Sequence, residues 1–205
     1  MSELLQIHPE NPQQRLLQRA VDALHAGKLV VYPTDSAYAL ACHIGDKQAL
    51  ERIVILRRLP KNHQFTLACR DLSELGTYAR VDNASYRLLK RATPGPFTFI
   101  LQASREVPKR LIHAKRRTIG IRVPSNPVAQ VLLELMNEPI MTTTLRLSGA
   151  QELFTNAQDI EAELGNQVDV IVDGGYCTDA LSTVVDLTGS TPEIVRQGVG
   201  DLDAI

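Results

Sequence analysis

The chain has 205 residues, 22 basic and 23 acidic, a formal net charge of −1 and 44% apolar content. This is the composition of a soluble globular protein; it excludes collagen-like, disordered and helical membrane-spanning classes, because no stretch approaches the ~18 apolar residues of a spanning helix. A chain of this length buries roughly 70% or more of its unfolded surface and needs no disulfide or structural metal to make a core. We therefore expect a single domain over residues 1–205. The segment 1–15 lacks the basic end and apolar core of a signal peptide, so the expected location is cytoplasmic, with no membrane partner.

In chain order, residues 11–27 read as an amphipathic helix, with Leu16, Leu17, Ala20, Val21 and Leu24 on one face and Gly27 as its stop. Residues 29–34 follow as a strand. Asp46 caps a helix through residues 47–58, residues 65–69 suit a strand, and Asp82 caps a helix that stops at Thr93-Pro94-Gly95. Strands are predicted at residues 97–103 and 118–124, a helix at 127–136, a strand at 140–144 and a helix at 157–165. Strands at 168–173, 182–187 and 193–196 complete the pattern. The alternation gives an α/β fold, and the absence of helices between the last strands makes its sheet mixed parallel and antiparallel.

Charge placement says more than charge total. Residues 1–51 carry four basic and six acidic groups, residues 52–122 sixteen and four, and residues 123–205 two and thirteen. A strongly basic middle third is the footprint of a surface or cleft that receives phosphates, although solvated helix faces also carry charge. Cys42, Cys69 and Cys177 are odd in number and sit among apolar or small residues, which suits reduced, buried thiols. No CxxC, HExxH, P-loop, G-x-G-x-x-G or G-x-S-x-G pattern is present, and the five histidines are scattered. No protein-bound metal is expected from local spacing.

Chemistry is expected where polar residues interrupt strand ends. Tyr32-Pro33-Thr34-Asp35-Ser36 follows a buried strand and places hydroxyls and a carboxylate in the crevice beyond it, though a plain turn reads similarly. Thr118, Gly120 and Arg122 share one strand face, so a hydroxyl and a guanidinium point into the same space. Residues 141–146 end a strand in three threonines and Arg146, Ser182-Thr183 opens a strand and Arg196 closes the last one. Hydroxyls in strands also reflect β-propensity. Together these positions offer the donors needed to hold a polyanion without a P-loop.

The motifs Y-P-T-D-S-A-Y-A-L, P-G-P-F-T, T-I-G-I-R-V-P, T-T-T-L-R-L-S-G, S-T-V-V-D-L and I-V-R-Q-G, in this order and over nearly the whole chain, resemble those of the YrdC/YciO family. The resemblance implies a YrdC-like twisted, mixed sheet with flanking helices around a deep, basic, concave cavity. It also implies synthesis of threonylcarbamoyl-AMP from L-threonine, bicarbonate and ATP, with magnesium accompanying ATP as substrate and pyrophosphate leaving, for modification of a tRNA adenosine. Carried over by position, Thr34, Ser36, Arg122, Thr142 and Ser182 fall around the amino acid. Arg57, His63, Thr118, Thr144 and Arg196 fall around the nucleotide, with Arg57 and Arg122 as the catalytic cations; Arg146, which stands where the synthases have asparagine, is expected to add a guanidinium to the nucleotide site, though a solvated arginine at a strand end reads the same way. The synthases of the family carry K-x-R and S-x-N where this chain has Arg57-Arg58-Leu59 and Thr144-Leu145-Arg146, a histidine in place of Ala68 and a glycine in place of Ala39. These departures resemble the YciO branch.

A second function class is RNA binding. Arg105, Lys109, Arg110, Lys115, Arg116 and Arg117 stand against Glu106 alone and could track the phosphates of double-stranded RNA or tRNA; a solvated loop over the cavity reads the same way. With 4% aromatic residues and no Trp, base-stacking platforms are disfavoured. A hydrolase acting on an adenylate or carbamoyl ester is a third class, but no base for it is identified: His63 is the one histidine near the expected site, and a lone histidine is more often a donor than a catalyst.

Overall fold

The computed structural model of the protein describes residues 1–149 and 152–205. Its strands are β1 (Glu3–Gln6), β2 (Val30–Tyr32), β3 (Ala39–His43), β4 (Thr66–Ala68), β5 (Ala79–Arg80), β6 (Phe97–Ala103), β7 (Thr118–Arg122), β8 (Ile140–Thr144), β9 (Val170–Asp173), β10 (Thr183–Asp186) and β11 (Glu193–Arg196). They form one sheet in the order β1-β9-β2-β3-β8-β4-β7-β6-β10-β11, with β5 paired to the end of β6. The β1-β9, β9-β2, β4-β7 and β6-β10 pairs are parallel and the others antiparallel, so the sheet is mixed, as expected.

Among the described residues, six α-helices flank the sheet: α1 (Gln14–His25), α2 (Lys47–Arg57), α3 (Leu72–Tyr78), α4 (Asn83–Ala92), α5 (Pro127–Met136) and α6 (Ala157–Leu164). The Asp46 side chain accepts from the Ala49 amide and that of Asp82 from the Ser85 amide, which are the caps the sequence announces. Among the described residues, four strands and α-helices are additional to the predicted set, beside two 3₁₀ turns at Lys109–Leu111 and Leu202–Ala204. β3 reads Ala-Leu-Ala-Cys-His, a run with little β-propensity that becomes a strand because it is paired on both sides, by β2 and β8. α3 is seven residues long with Gly76 inside it, too short and too weak to announce itself locally; the Asp71 cap starts it. β1 and β5 are edge pieces of four and two residues that exist through their partners β9 and β6.

Strand alternation sorts the core into two layers. Val31, Leu40, Cys42, Leu67, Phe99, Ile121 and Met141 face α2, α3, α4 and α6 on one side. On the other, Val30, Tyr32, Ala39, Ala41, Ala68, Ile140, Val170 and Val172 pack under α1 and α5, which themselves meet through residues such as Leu17, Leu24, Leu132 and Leu133. α1 and α5 cover only part of that face. Beyond them the same face of β4, β6, β7, β8 and β10 changes from Ala, Val and Ile to Thr66, Thr98, Arg122, Thr142, Thr144 and Val184. No helix of the described residues is long and apolar enough to cross a membrane.

Candidate active site

The uncovered half of the sheet face is the floor of a cavity of about 560 Å³. Its hydroxyls are fixed by one another: Tyr32 Oη and Thr142 Oγ1 lie 2.9 Å apart, as do Thr98 Oγ1 and Ser182 Oγ. Gly120 lets β4 approach β7. A Cβ there would stand 2.6 Å from Thr66 Oγ1 and 3.0 Å from the Phe65 carbonyl oxygen. Thr118, fully buried, donates through Oγ1 to Gln64 Oε1 at 2.8 Å, so it supports the cavity wall from behind Gln64.

Arg57, Arg122, Arg146 and Arg196 line this one cavity, and no carboxylate does so among the described residues. Arg122, 4% exposed, rises from the end of β7; its Nη2 pairs with the Asp35 carboxylate, and its Nε is buried without a hydrogen-bond partner. Asp35 is held in turn by the Ser125 amide at 2.6 Å and the Ser125 hydroxyl at 3.1 Å, just before α5. A buried ion pair of this kind persists when its remaining lone pairs are satisfied, as they are on the Asp35 side. Arg196 Nε and Nη2 donate to the Ser182 carbonyl at 3.2 and 2.8 Å. Burial lowers the Arg196 pKa, reinforced by the neighbouring charges of Arg122 and Arg146.

Arg57 ends α2 and reaches across to the segment after β8, where its Nε donates to the Thr144 carbonyl at 2.8 Å and its Nη1 to the Arg146 carbonyl at 2.7 Å. Burial and then the Arg146 charge lower its pKa. His63 lies against the edge of the Phe65 ring, and its pKa falls from 6.5 through burial and then the charge of Arg57. Burial and then the neighbouring cationic charges disfavour the charged forms of Arg57, Arg196 and His63, and an anion among them would offset the repulsive part.

Of the positions expected around the ligands, Arg57, His63, Arg122, Thr142, Thr144, Arg146, Ser182 and Arg196 line the cavity. Thr118 stands one layer back. Thr34 and Ser36 are buried beside the site rather than in its lining: Thr34 Oγ1 donates to the Ala37 carbonyl at 2.7 Å, accepts from the Ser36 amide at 3.1 Å and lies 3.1 Å from the Ser36 hydroxyl, so both hydroxyls take part in the turn that carries Asp35. Gln64, Thr66 and Thr98 are lining residues additional to the expected set. Alternation with Leu67 and with Phe97 and Phe99 marks the two threonines; nothing local marks Gln64. Leu59 packs against the core side of the sheet, and Ala39 and Ala68 lie in the covered layer.

The basic segment 105–117 divides in two. Arg110 Nη2 donates to the Ile44 carbonyl at 3.1 Å and to that of Gly45, and Arg116 pairs with the buried Asp186, so these two tie the segment down. Arg105, Lys109 and Arg117 instead line a separate cavity of about 720 Å³ with Arg80, and Lys115 is exposed. All three cysteines are free thiols; Cys42 and Cys69 are buried as expected, whereas Cys177 is half-buried.

Residues 22–198 match the Sua5/YciO/YrdC family, described as telomere recombination. The YciO protein of Escherichia coli, itself uncharacterized, is 54% identical over 202 residues covering 98% of each chain, and its crystal structure superposes with a TM-score of 0.96 over 100% of this chain and 99% of that one. A threonylcarbamoyl-AMP synthase of Vibrio vulnificus is 32% identical over 77% of this chain and 86% of its own. The crystal structure of Sua5 from Pyrococcus abyssi in complex with L-threonine is 27% identical, with a TM-score of 0.88 over 96% of this chain and 58% of that one. On the family match, the synthase relatives and the shared fold, the chain belongs to the Sua5/YciO/YrdC family.

Proposed function

We propose that the cavity binds Mg-ATP and L-threonine and forms threonylcarbamoyl-AMP with bicarbonate. The observation that carries this reading is the convergence of four arginines on one hydroxyl-lined cavity with no carboxylate in its lining. Such a site holds several negative charges at once, as a triphosphate beside an amino-acid carboxylate requires. The 27% identity to a Sua5 crystallised with L-threonine supports the amino-acid half.

In this reaction the threonine amine attacks bicarbonate, losing water to give a carbamate. A carbamate oxygen then attacks the α-phosphorus of ATP, and the bond to pyrophosphate breaks. The residues act by position and charge. Arg122, anchored by Asp35 and retaining an unpaired Nε, receives an anionic group at the floor. Arg196 and Arg146 face the phosphates, where charge migrates to the leaving pyrophosphate. Arg57 spends two donors on the Thr144 and Arg146 carbonyls, so it positions that segment as well as adding charge. The lining supplies hydroxyls and cations, which suits magnesium held by the phosphate oxygens of its own nucleotide. The test is incubation with ATP, magnesium, bicarbonate and L-threonine, following pyrophosphate and the adenylate by chromatography. Product that requires both threonine and bicarbonate supports the reading; ATP binding without product overturns the synthase step.

A second reading rests on the second cavity. Arg80, Arg105, Lys109 and Arg117 line it, with no carboxylate among the described residues, which suits the phosphates of double-stranded RNA or tRNA. RNA affinity through several of these residues falls steeply with salt, whereas nucleotide binding among the largely buried side chains of the first cavity falls less.

A further inference from the structure

At the end of β3 remote from the cavity, three side chains from separate elements converge. His25 is the last residue of α1, His43 the last of β3, and Glu138 lies in the turn between α5 and β8. Their ligand atoms lie within 4.8 Å of one another. Glu138 Oε1 is 2.9 Å from His43 Nε2 and 3.5 Å from His25 Nε2, and the two imidazole rings stand edge to face at 5.6 Å. None of the three lines the active-site cavity. His43 pairs with Ile140 at one end of the β3-β8 ladder, and Ala39 pairs with Thr144 at the other.

We propose that His25, His43 and Glu138 bind one divalent ion of the zinc class. Zinc bonds of about 2.0–2.2 Å in a tetrahedron put neighbouring ligand atoms about 3.4 Å apart. The two separations to Glu138 bracket that spacing. Two imidazoles and one carboxylate select a borderline transition metal over magnesium or calcium, with water at the fourth corner. Glu74 lies within electrostatic reach of Glu138, and the Arg70 guanidinium, which donates to Asn137, acts on Glu74 with the opposite sign. Side-chain exposures of 49%, 26% and 36% for His25, His43 and Glu138 leave the ion an entry path and room for sub-ångström adjustment.

Ligation has one structural requirement. The Gly45 amide donates to His43 Nδ1 at 2.9 Å, which places the ring proton on Nε2 in the metal-free protein, donated to Glu138. Binding through Nε2 moves that proton to Nδ1 by exchange with solvent, with none released from this ring, and turns the Gly45 amide to water. Gly45 is exposed, so water is available. The ion clamps the end of α1, the end of β3 and the α5-β8 turn, a structural role separate from the reaction.

The test uses the untagged full chain, stripped with chelator. Zn²⁺ titrated by calorimetry should bind at one ion per chain and raise the melting temperature, and Co²⁺ should give the intense visible bands of four-coordinate cobalt. His25→Gln, at an exposed helix end, and Glu138→Gln should each weaken Zn²⁺ binding about tenfold or more and abolish the thermal shift. Cys177→Ser should bind as the native chain does. Nitrogen-detected NMR should show the His43 proton move from Nε2 to Nδ1 on zinc addition. Absence of saturable binding, binding unchanged in His25→Gln and Glu138→Gln, or loss in Cys177→Ser overturns the proposal. Nucleotide binding, measured in parallel, reports on the cavity independently.

Discussion

One face of the sheet carries two regions of opposite chemistry. Under α1 and α5 it is Val30, Ala39, Ala41, Ile140, Val170 and Val172; a few residues away it is Thr66, Thr98, Arg122, Thr142 and Ser182 around an open cavity. The backbone is the same continuous ladder in both. What differs is the presence of a helix overhead. Where α1 and α5 exclude water, only side chains without hydrogen-bonding demands are stable, and where they stop, hydroxyls and guanidinium groups remain solvated or hold one another. The boundary is held by polar links rather than by packing: Tyr32 to Thr142, and Arg122 through Asp35 to Ser125 at the start of α5.

The largest effect is expected at that boundary. Asp35→Ala leaves Arg122 buried without its counter-charge and should cost about 3–5 kcal/mol in denaturant unfolding, more than the combined change Asp35→Ala with Arg122→Met. If the double variant is no more stable than the single, the ion pair does not hold the boundary. Within the covered region, Leu132→Ala should cost about 2–5 kcal/mol through a cavity in a fully buried layer, with ATP affinity of the folded protein unchanged. Gly120→Ala drives a methyl into Thr66 Oγ1 and the Phe65 carbonyl, with an expected loss of about 1–3 kcal/mol. In the open region the pattern reverses. Arg196→Ala should change stability by less than about 1 kcal/mol yet weaken ATP roughly tenfold or more by calorimetry, because an anion loses a charged donor. A stability loss at Arg196 as large as that at Leu132 would erase the distinction between the two regions.

The smallest effect is a proton. Burial and Arg57 hold His63 below its ordinary value of 6.5, so it is neutral in the free protein at pH 7. A folded-state pKa below the unfolded one contributes stability that is present above pH 6.5 and declines as pH falls through the folded value. A phosphate-bearing ligand raises the His63 pKa, so binding takes up protons and strengthens as pH falls from 7 towards 6. Calorimetry in buffers of different ionisation enthalpy should detect that uptake, and His63→Gln should remove it.

Most elements were legible because their signals are local. The α1 stripe, the Asp46 and Asp82 caps and the alternation of β6 and β7 each need only a few neighbouring residues to be read. β3 was not legible because its alanines become a strand only between two partners supplied from elsewhere. In the site, the guanidinium groups and hydroxyls stood out as an unusual set at strand ends, and the resemblance to a family ordered them. Gln64 has no such signature, and Thr34 and Ser36 stand in a turn whose internal hydrogen bonds only the tertiary structure displays.

By itself the sequence determined the mixed α/β class, most element positions and the basic middle third, since periodicity, caps and charge runs are properties of neighbouring residues. Tertiary structure alone decided how the basic middle third is divided. It tied Arg110 and Arg116 to the body of the protein while gathering Arg105, Lys109 and Arg117 around a second hollow. It also brought His25, His43 and Glu138, scattered along the chain, to within 4.8 Å. Such juxtapositions depend on the order in which strands pair across the whole sheet, and that order is set by non-local burial rather than by local spacing.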